Sequence, residues 1–192
     1  RLHGFRPEDL HAALGRLLAG PAAEALAAAD PDPELARILA AEAGEVLGAE
    51  PPWCGLEGAP PEAVLLVTEG NAGAVAARWP EARLRPLRLR ALPDLVAGIS
   101  RPREPALIGL ASRSAQVRQW AGALLAALGF PPDQVLLRDP AVAGWAEGLR
   151  ACGILAADVV AAREFPPEGP RPLVFRIVAP ESLAALRRPV TP

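Results

Sequence analysis

Lysine is missing from this chain of 192 residues: all 20 of its basic side chains are arginine. That absence excludes Schiff-base chemistry, attachment of pyridoxal phosphate and a Walker-type phosphate loop. Histidine is nearly missing too. His3 and His11 are the only imidazoles, both near the start, so a Ser/His/Asp or Cys/His device in the main body would need the N-terminal segment to fold across it. Cys54 and Cys152 stand about a hundred residues apart with no CxxC or HxxxH partner, which argues against structural zinc; the two thiols could form one bridge, but a reduced, cytoplasmic protein is the simpler reading. No cofactor is expected. No uninterrupted apolar run approaches the ~20 residues of a membrane helix, so no membrane partner is expected. The chain opens on Arg1 without the basic, apolar and small-residue succession of a signal peptide, which suggests a mature or truncated piece of a longer protein.

What is present suits one substantial domain or two small lobes, a size that buries roughly 70% of the unfolded surface. Formal net charge is −2 and the arginines are spread along the chain, so no basic stripe announces nucleic acid. The densest basic stretch is "ARLRPLRLRAL", with Arg83, Arg85, Arg88 and Arg90. It reads either as a half-buried strand with a solvated arginine face or as a face for phosphate or a partner.

The first 50 residues read as a helical segment. Leu10, Ala13, Leu14, Leu17 and Leu18 recur at helical spacing until Gly20-Pro21, and a turn or short helix follows around Pro21 to Ala29. A second helix starts after Asp32-Pro33, carries Leu35, Ile38, Leu39, Val46 and Leu47, and stops at Gly48. From residue 51 to 192, short apolar runs alternate with amphipathic helices. Strands are expected at Ala63–Thr68, Leu84–Leu89, Ala106–Ala111, Gln134–Arg138, Ile154–Val160 and Pro172–Val178. Helices are expected after Thr68, over Leu92–Ile99, after Ser114, over Val142–Arg150 and from Pro180 to Arg188. The Pro-rich "SRPREP", residues 100–105, is the best internal hinge. This alternation predicts an α/β fold, a mainly parallel sheet with helices on both faces, with division into two lobes as one option.

In open parallel sheets, ligands sit beyond the carboxyl ends of the strands. The loops there carry Thr68 and Asn71, then Ser112, Arg113 and Ser114, then Asp139, then Asp158. Ser112 and Ser114 read as helix N-caps or as a cradle in which free N–H groups and the Arg113 guanidinium hold an anion. A shared cradle requires the helix N-termini after Asn71 and after Ser114 to face one cleft. "EGNAGAV" lacks the G-x-G-x-x-G spacing of a dinucleotide site. Asp139 and Asp158 are general acid or base candidates, or turn and capping residues. Trp145 reads as packing or as pocket lining, and Trp53 and Cys54 as structural.

From about Pro61 onward, "AVLLVTEGNAGAV", "LIGLASRSAQVRQWAGALLAALGF", "LLRDPAVAGWAEGLRACGILAADVV" and "LVFRIVAPESLAALR" resemble the C-terminal effector-binding domain of a subset of GntR-type bacterial transcription regulators, with a periplasmic-binding or LysR-type α/β architecture. The resemblance implies a cytoplasmic homodimer that binds a small-molecule effector, an anionic metabolite on the reading above, between two lobes at Thr68, Asn71, Ser112, Arg113, Ser114, Asp139 and Asp158. DNA would be reached only through a winged helix, and the first 50 residues do not combine that pattern with basic charge. The runner-up is an α/β enzyme acting on a small phosphorylated or carboxylated substrate, with Asp139 or Asp158 as acid or base.

Overall fold

A computed structural model describes residues 25–91, 107–169 and 171–187. The first expected helix, the two histidines, the helix expected at residues 92–99 and the hinge expected at 100–105 lie outside them.

The fold is α/β, with two four-stranded sheets, each wholly parallel and flanked by helices. The first contains β1 (Leu26–Ala29), β2 (Trp53–Cys54), β3 (Val64–Thr68) and β4 (Leu84–Leu87), in the spatial order β2-β1-β3-β4. Its helices are α1 (Pro33–Leu47) and α2 (Ala72–Arg78). The second contains β5 (Leu107–Ala111), β6 (Val135–Arg138), β7 (Cys152–Asp158) and β8 (Leu173–Phe175), ordered β6-β5-β7-β8. Helix α3 (Ala115–Ala127) lies between β5 and β6, and α4 (Pro180–Ala185) closes the described chain. The two sheets therefore repeat one topology although no sequence repeat announces it. None of the described helices is long and apolar enough to cross a membrane.

The expected turn or short helix around residues 21–29 is instead, over Leu26–Ala29, the inner strand β1. An alanine run reads as helix by propensity, but here both faces of the run are covered. Ala28 joins the core of Leu35, Leu39 and Leu66, while Ala27 and Ala29 join that of Val75 and Trp79, so successive alanines alternate between two cores with the period of a strand. The part of the first 50 residues that is described thus packs into the α/β body as β1 and α1, and does not form a separate helical segment. Helix α1 begins and ends where its signals stand, with Asp32 as N-cap, Pro33 in the first turn and Gly48 left-handed at φ 83°.

Two further expectations are corrected. Residues 142–150 form a chain of turns ending in a short 3-10 helix, Leu149–Ala151, in place of a helix. Gly144 and Gly148 both have positive φ, 73° and 79°, and each such residue breaks the right-handed ladder. The strand expected over residues 172–178 ends at Phe175, and residues 176–179 lead on to α4, paired with residues 88–90 beyond β4.

Both sheets share one core. Val117 of α3, Val159 and Val160 after β7, and Ile177 and Val178 after β8 all pack in the cluster that holds Leu35, Ile38 and Leu39 of α1.

Candidate functional site

The carboxyl ends of the two sheets meet directly. Asp30 follows β1 and is fully buried; the Asn71 amide donates to both of its oxygens, at 3.1 and 2.9 Å, and the Thr68 hydroxyl donates at 3.5 Å. Asp30 also accepts the N–H of Asp32 at 3.0 Å. Asp32 then does two things at once. One carboxylate oxygen caps α1 by accepting from Glu34 and Leu35 N–H, at 3.0 and 3.4 Å, and the other accepts the Ser114 hydroxyl at 2.7 Å. Ser114 is itself the N-cap of α3, accepting from Val117 N–H at 3.1 Å. The N-termini of α1 and α3 are therefore joined cap to cap, and a polar chain runs Asn71, Asp30, Asp32, Ser114 from one sheet to the other.

Around it lies a ring of ion pairs. The Arg113 Nε–H donates to both Glu164 oxygens at 2.8 and 3.0 Å, and the Arg113 guanidinium also stands 3.9 Å from Glu34. Arg37 reaches Glu34 at 3.5 Å and Glu164 at 3.6 Å. The carboxylates hold Arg113 firmly protonated, raising its pKa mainly through the Glu164 hydrogen bond. Arg118 donates to the carbonyls of Ser112 and Arg113 and pairs with Asp139 at 3.0 Å.

Of the seven residues expected here, Thr68, Asn71 and Ser114 belong to the polar chain and Arg113 to the ring. Asn71 occupies the N-cap position of α2 without capping it, because its amide is turned onto Asp30. The helix whose N-terminus meets α3 is α1, not α2. Asp139 is tied to Arg118 and to Ala141 N–H at 2.9 Å, which makes it a turn residue. Asp158 turns the chain after β7, with Oδ1 accepting from Val160 and Ala161 N–H at 2.8 Å each. Its Oδ2 and the Ser112 hydroxyl are buried without a hydrogen bond, although Ser112, on the neighbouring strand end, lies close enough to favour the charged carboxylate. Burial outweighs that help and raises the Asp158 pKa; Asp30 is raised for the same first reason, against the lowering by Asn71.

Asp30 and Asp32 were the residues sequence reading missed. Their signal is a polar residue ending an apolar run just before Asp-Pro, and it is hidden because the run itself reads as turn or helix. Trp145 packs edge-on against Phe165 at 4.9 Å, which supports the packing reading. Trp53 is partly exposed beneath the Arg37 guanidinium, 5.9 Å from the ring centre.

Elsewhere, a cavity of about 590 Å³ opens at the amino ends of β3 and β4, lined by Pro60, Pro61, Trp79 and Arg83 among others. It lies at the wrong end of the strands for the usual site of a parallel sheet. Among the described residues no three His, Cys, Asp or Glu side chains are grouped to hold a metal ion. No family model, no curated protein and no solved structure matches the chain.

Proposed function

We propose that this chain is the small-molecule sensing domain of a bacterial transcription regulator, binding its effector where the carboxyl ends of the two sheets meet. The observation that carries the reading is the cap-to-cap bond from Ser114 to Asp32: one polar chain is built from both sheets, so anything inserted there acts on their relative position. An anionic metabolite suits it. Asp32 already holds a carboxylate at the N-terminus of α3, and an incoming carboxylate or phosphate would take over the Ser114 hydroxyl and the free N–H groups while Asp32 keeps its cap on α1. The reading extends to a cytoplasmic homodimer that reaches DNA through a winged helix.

A thermal-shift screen against carboxylated and phosphorylated metabolites tests it. At least one compound raises the melting temperature, and Arg113→Ala abolishes that rise at little cost to the free protein, since partly exposed ion pairs contribute only ~0–1 kcal/mol. A screen in which nothing shifts the melting temperature overturns the reading. One observation favours the enzyme alternative: Asp158 is buried, inclined to keep a proton, and its Oδ2 makes no backbone hydrogen bond. Turnover of a bound compound that is lost in Asp158→Asn would replace sensing by catalysis.

A further inference from the structure

Two lengths of chain run side by side where the sheets are connected. Residues 88–90, beyond β4, and residues 176–179, beyond β8, pair antiparallel about Leu89 and Val178. Arg90 N–H donates to the Ile177 carbonyl and Ala179 N–H to the Arg88 carbonyl, both at 2.8 Å. Two further N–H groups of this crossing go to one side chain. Ile177 N–H donates to Glu42 Oε1 at 2.7 Å and Val178 N–H to Glu42 Oε2 at 2.9 Å.

Glu42 sits on the core face of α1, fully buried between Ala41 and Ala43. An ionised carboxylate offers two equivalent acceptors to two adjacent N–H groups, and such charge-assisted bonds are strong. Burying that charge is costly all the same. No cation bonds it directly among the described residues. Arg176 is held by Glu45 at 2.7 and 3.1 Å, Arg90 donates to the Val178 carbonyl at 3.2 Å, Arg187 to the Val46 carbonyl at 3.2 Å, and Arg85 to the Ala185 carbonyl. Glu45, on the same helix, opposes ionisation and Arg176 favours it.

We propose that Glu42 is a proton-operated clasp: its carboxyl group ties the paired connections to α1, and gain or loss of one proton there shifts the position of one sheet relative to the other. This rests on the reading that the two sheets move about their connections. The neutral acid keeps its carbonyl oxygen for one N–H and offers the other only a weakly accepting hydroxyl oxygen, but it buries no charge. The anion gains stronger bonds but is relieved most where water reaches it. A proton taken from water therefore favours the clasped arrangement, and its return to water favours the loosened one. Burial outweighs the two backbone bonds and pushes the Glu42 pKa up to about 7, which puts the change near neutrality.

The native cysteines supply the test, because Cys54 lies on β2 of the first sheet and Cys152 on β7 of the second, both free and partly accessible. Spin labels on both give the distance between the sheets by pulsed electron resonance from about pH 5 to about pH 9, beside the amide proton shifts of Ile177 and Val178. The expected result is a distance distribution that changes with a midpoint of about 7 and coincides with the titration of the two amides. In Glu42→Gln both dependences vanish. Amides that titrate while the distance stays fixed overturn the proposal, as does a distance change that persists in Glu42→Gln. If that variant does not fold, the wild-type protein decides alone, because non-coincident midpoints overturn it. No effector is used, so an empty metabolite screen and a failed clasp are separate results.

Discussion

Every residue of β3 in the first sheet is buried, whereas β6 in the second is only half-buried and β8 leaves Leu173 and Val174 exposed. The cause is what covers them. In the first sheet, α1 lies on one face and α2 on the other, and Ala28 and Leu66 join one core while Ala27, Leu65 and Val67 join the opposite one. In the second, α3 packs against β5 and β6, and the turns of residues 142–150 do some of the work of a helix, bringing Leu149 over Gly109 so closely that a Cβ there would stand 2.8 Å from the leucine. The sheets also differ in the polar groups they bring to their junction. Asp32, Glu34, Glu42, Glu45 and Glu50, on or beside α1, are acceptors; Arg113, Ser114, Arg163, Arg176 and the N–H groups of Ile177 and Val178 are their donors, with Arg37 and Glu164 as the reversed pair. Helix α1 thus serves as the core of one sheet and the acidic docking surface of the other.

If α1 carries both roles, truncating its core has the largest effect. Leu39→Ala, at a fully buried position in the core shared by both sheets, costs about 2–5 kcal/mol. Leu125→Ala, in the smaller cluster of Ile108 and Phe130, costs less, because α3 faces solvent on more of its surface. Urea unfolding of the two variants checks the order. A larger loss at Leu125 would make the second sheet the anchor and reverse the comparison.

The buried carboxyls give the next effect, and its sign is opposite to ordinary acid denaturation. Glu42, Asp30 and Asp158 are all raised by burial. A carboxyl whose folded value lies above its unfolded one holds its proton more tightly in the folded chain, so stability is fully present below the unfolded value and is lost as pH rises through the folded one. For Glu42 that window runs from the ordinary 4.5 to about 7. At 1.36 kcal/mol per unit this single group accounts for a loss on the order of 3 kcal/mol at most. Urea midpoints should fall between about pH 5 and pH 8 in the wild type and stay flatter in Glu42→Gln. A midpoint that climbs across this range would show that these carboxyls are hydrated in solution.

The parts of this architecture that depend on local periodicity were legible in the sequence. Helix α1 runs between the Asp32 cap and the Gly48 stop, β3 and β5 are continuous apolar runs, and α3 starts at Ser114. What escaped depends on contacts far along the chain. Four residues of β1, three of them alanine, become a strand only because two cores press on opposite faces, and Asp30 becomes a site residue only because Asn71 lies 41 positions away. Residues 142–150 looked helical because their spacing did, and the glycines that divide them act through φ, which spacing does not report. Glu42 carried no signal at all. One acidic residue among alanines on an amphipathic helix reads as solvated, and its partners are 135 and 136 residues distant.

Ser114→Ala sharpens the comparison at the point where the sheets touch. It removes the acceptor for Val117 N–H and the donor to Asp32, for a cost of ~1 kcal/mol. Asp32→Ala loses the cap of α1 and the same cross-sheet bond. A double-mutant cycle should therefore show a coupling of about 0.5 kcal/mol or more. Strictly additive losses would mean that each cap serves its own helix and that the sheets are not joined there.

The smallest effect is expected where the acceptor and donor surfaces meet in water. Arg163 and Glu50 pair at 2.9 Å, but the arginine side chain is 54% exposed and the glutamate 36%. Ordering two such side chains offsets most of their attraction, so Arg163→Ala should change stability by no more than about 0.5 kcal/mol, and that little should vanish in salt. Arg113 makes the more instructive contrast, because its partners Glu34 and Glu164 are less exposed and it stands beside the cap-to-cap bond. If the complementarity of the two surfaces serves mainly to set register, both arginines should prove nearly silent in stability, while only Arg113→Ala alters the response to an added anion. An Arg163→Ala protein as compromised as Ser114→Ala would instead show that the outer ion pairs hold the sheets together, and that the buried chain through Asp30 and Asp32 adds little.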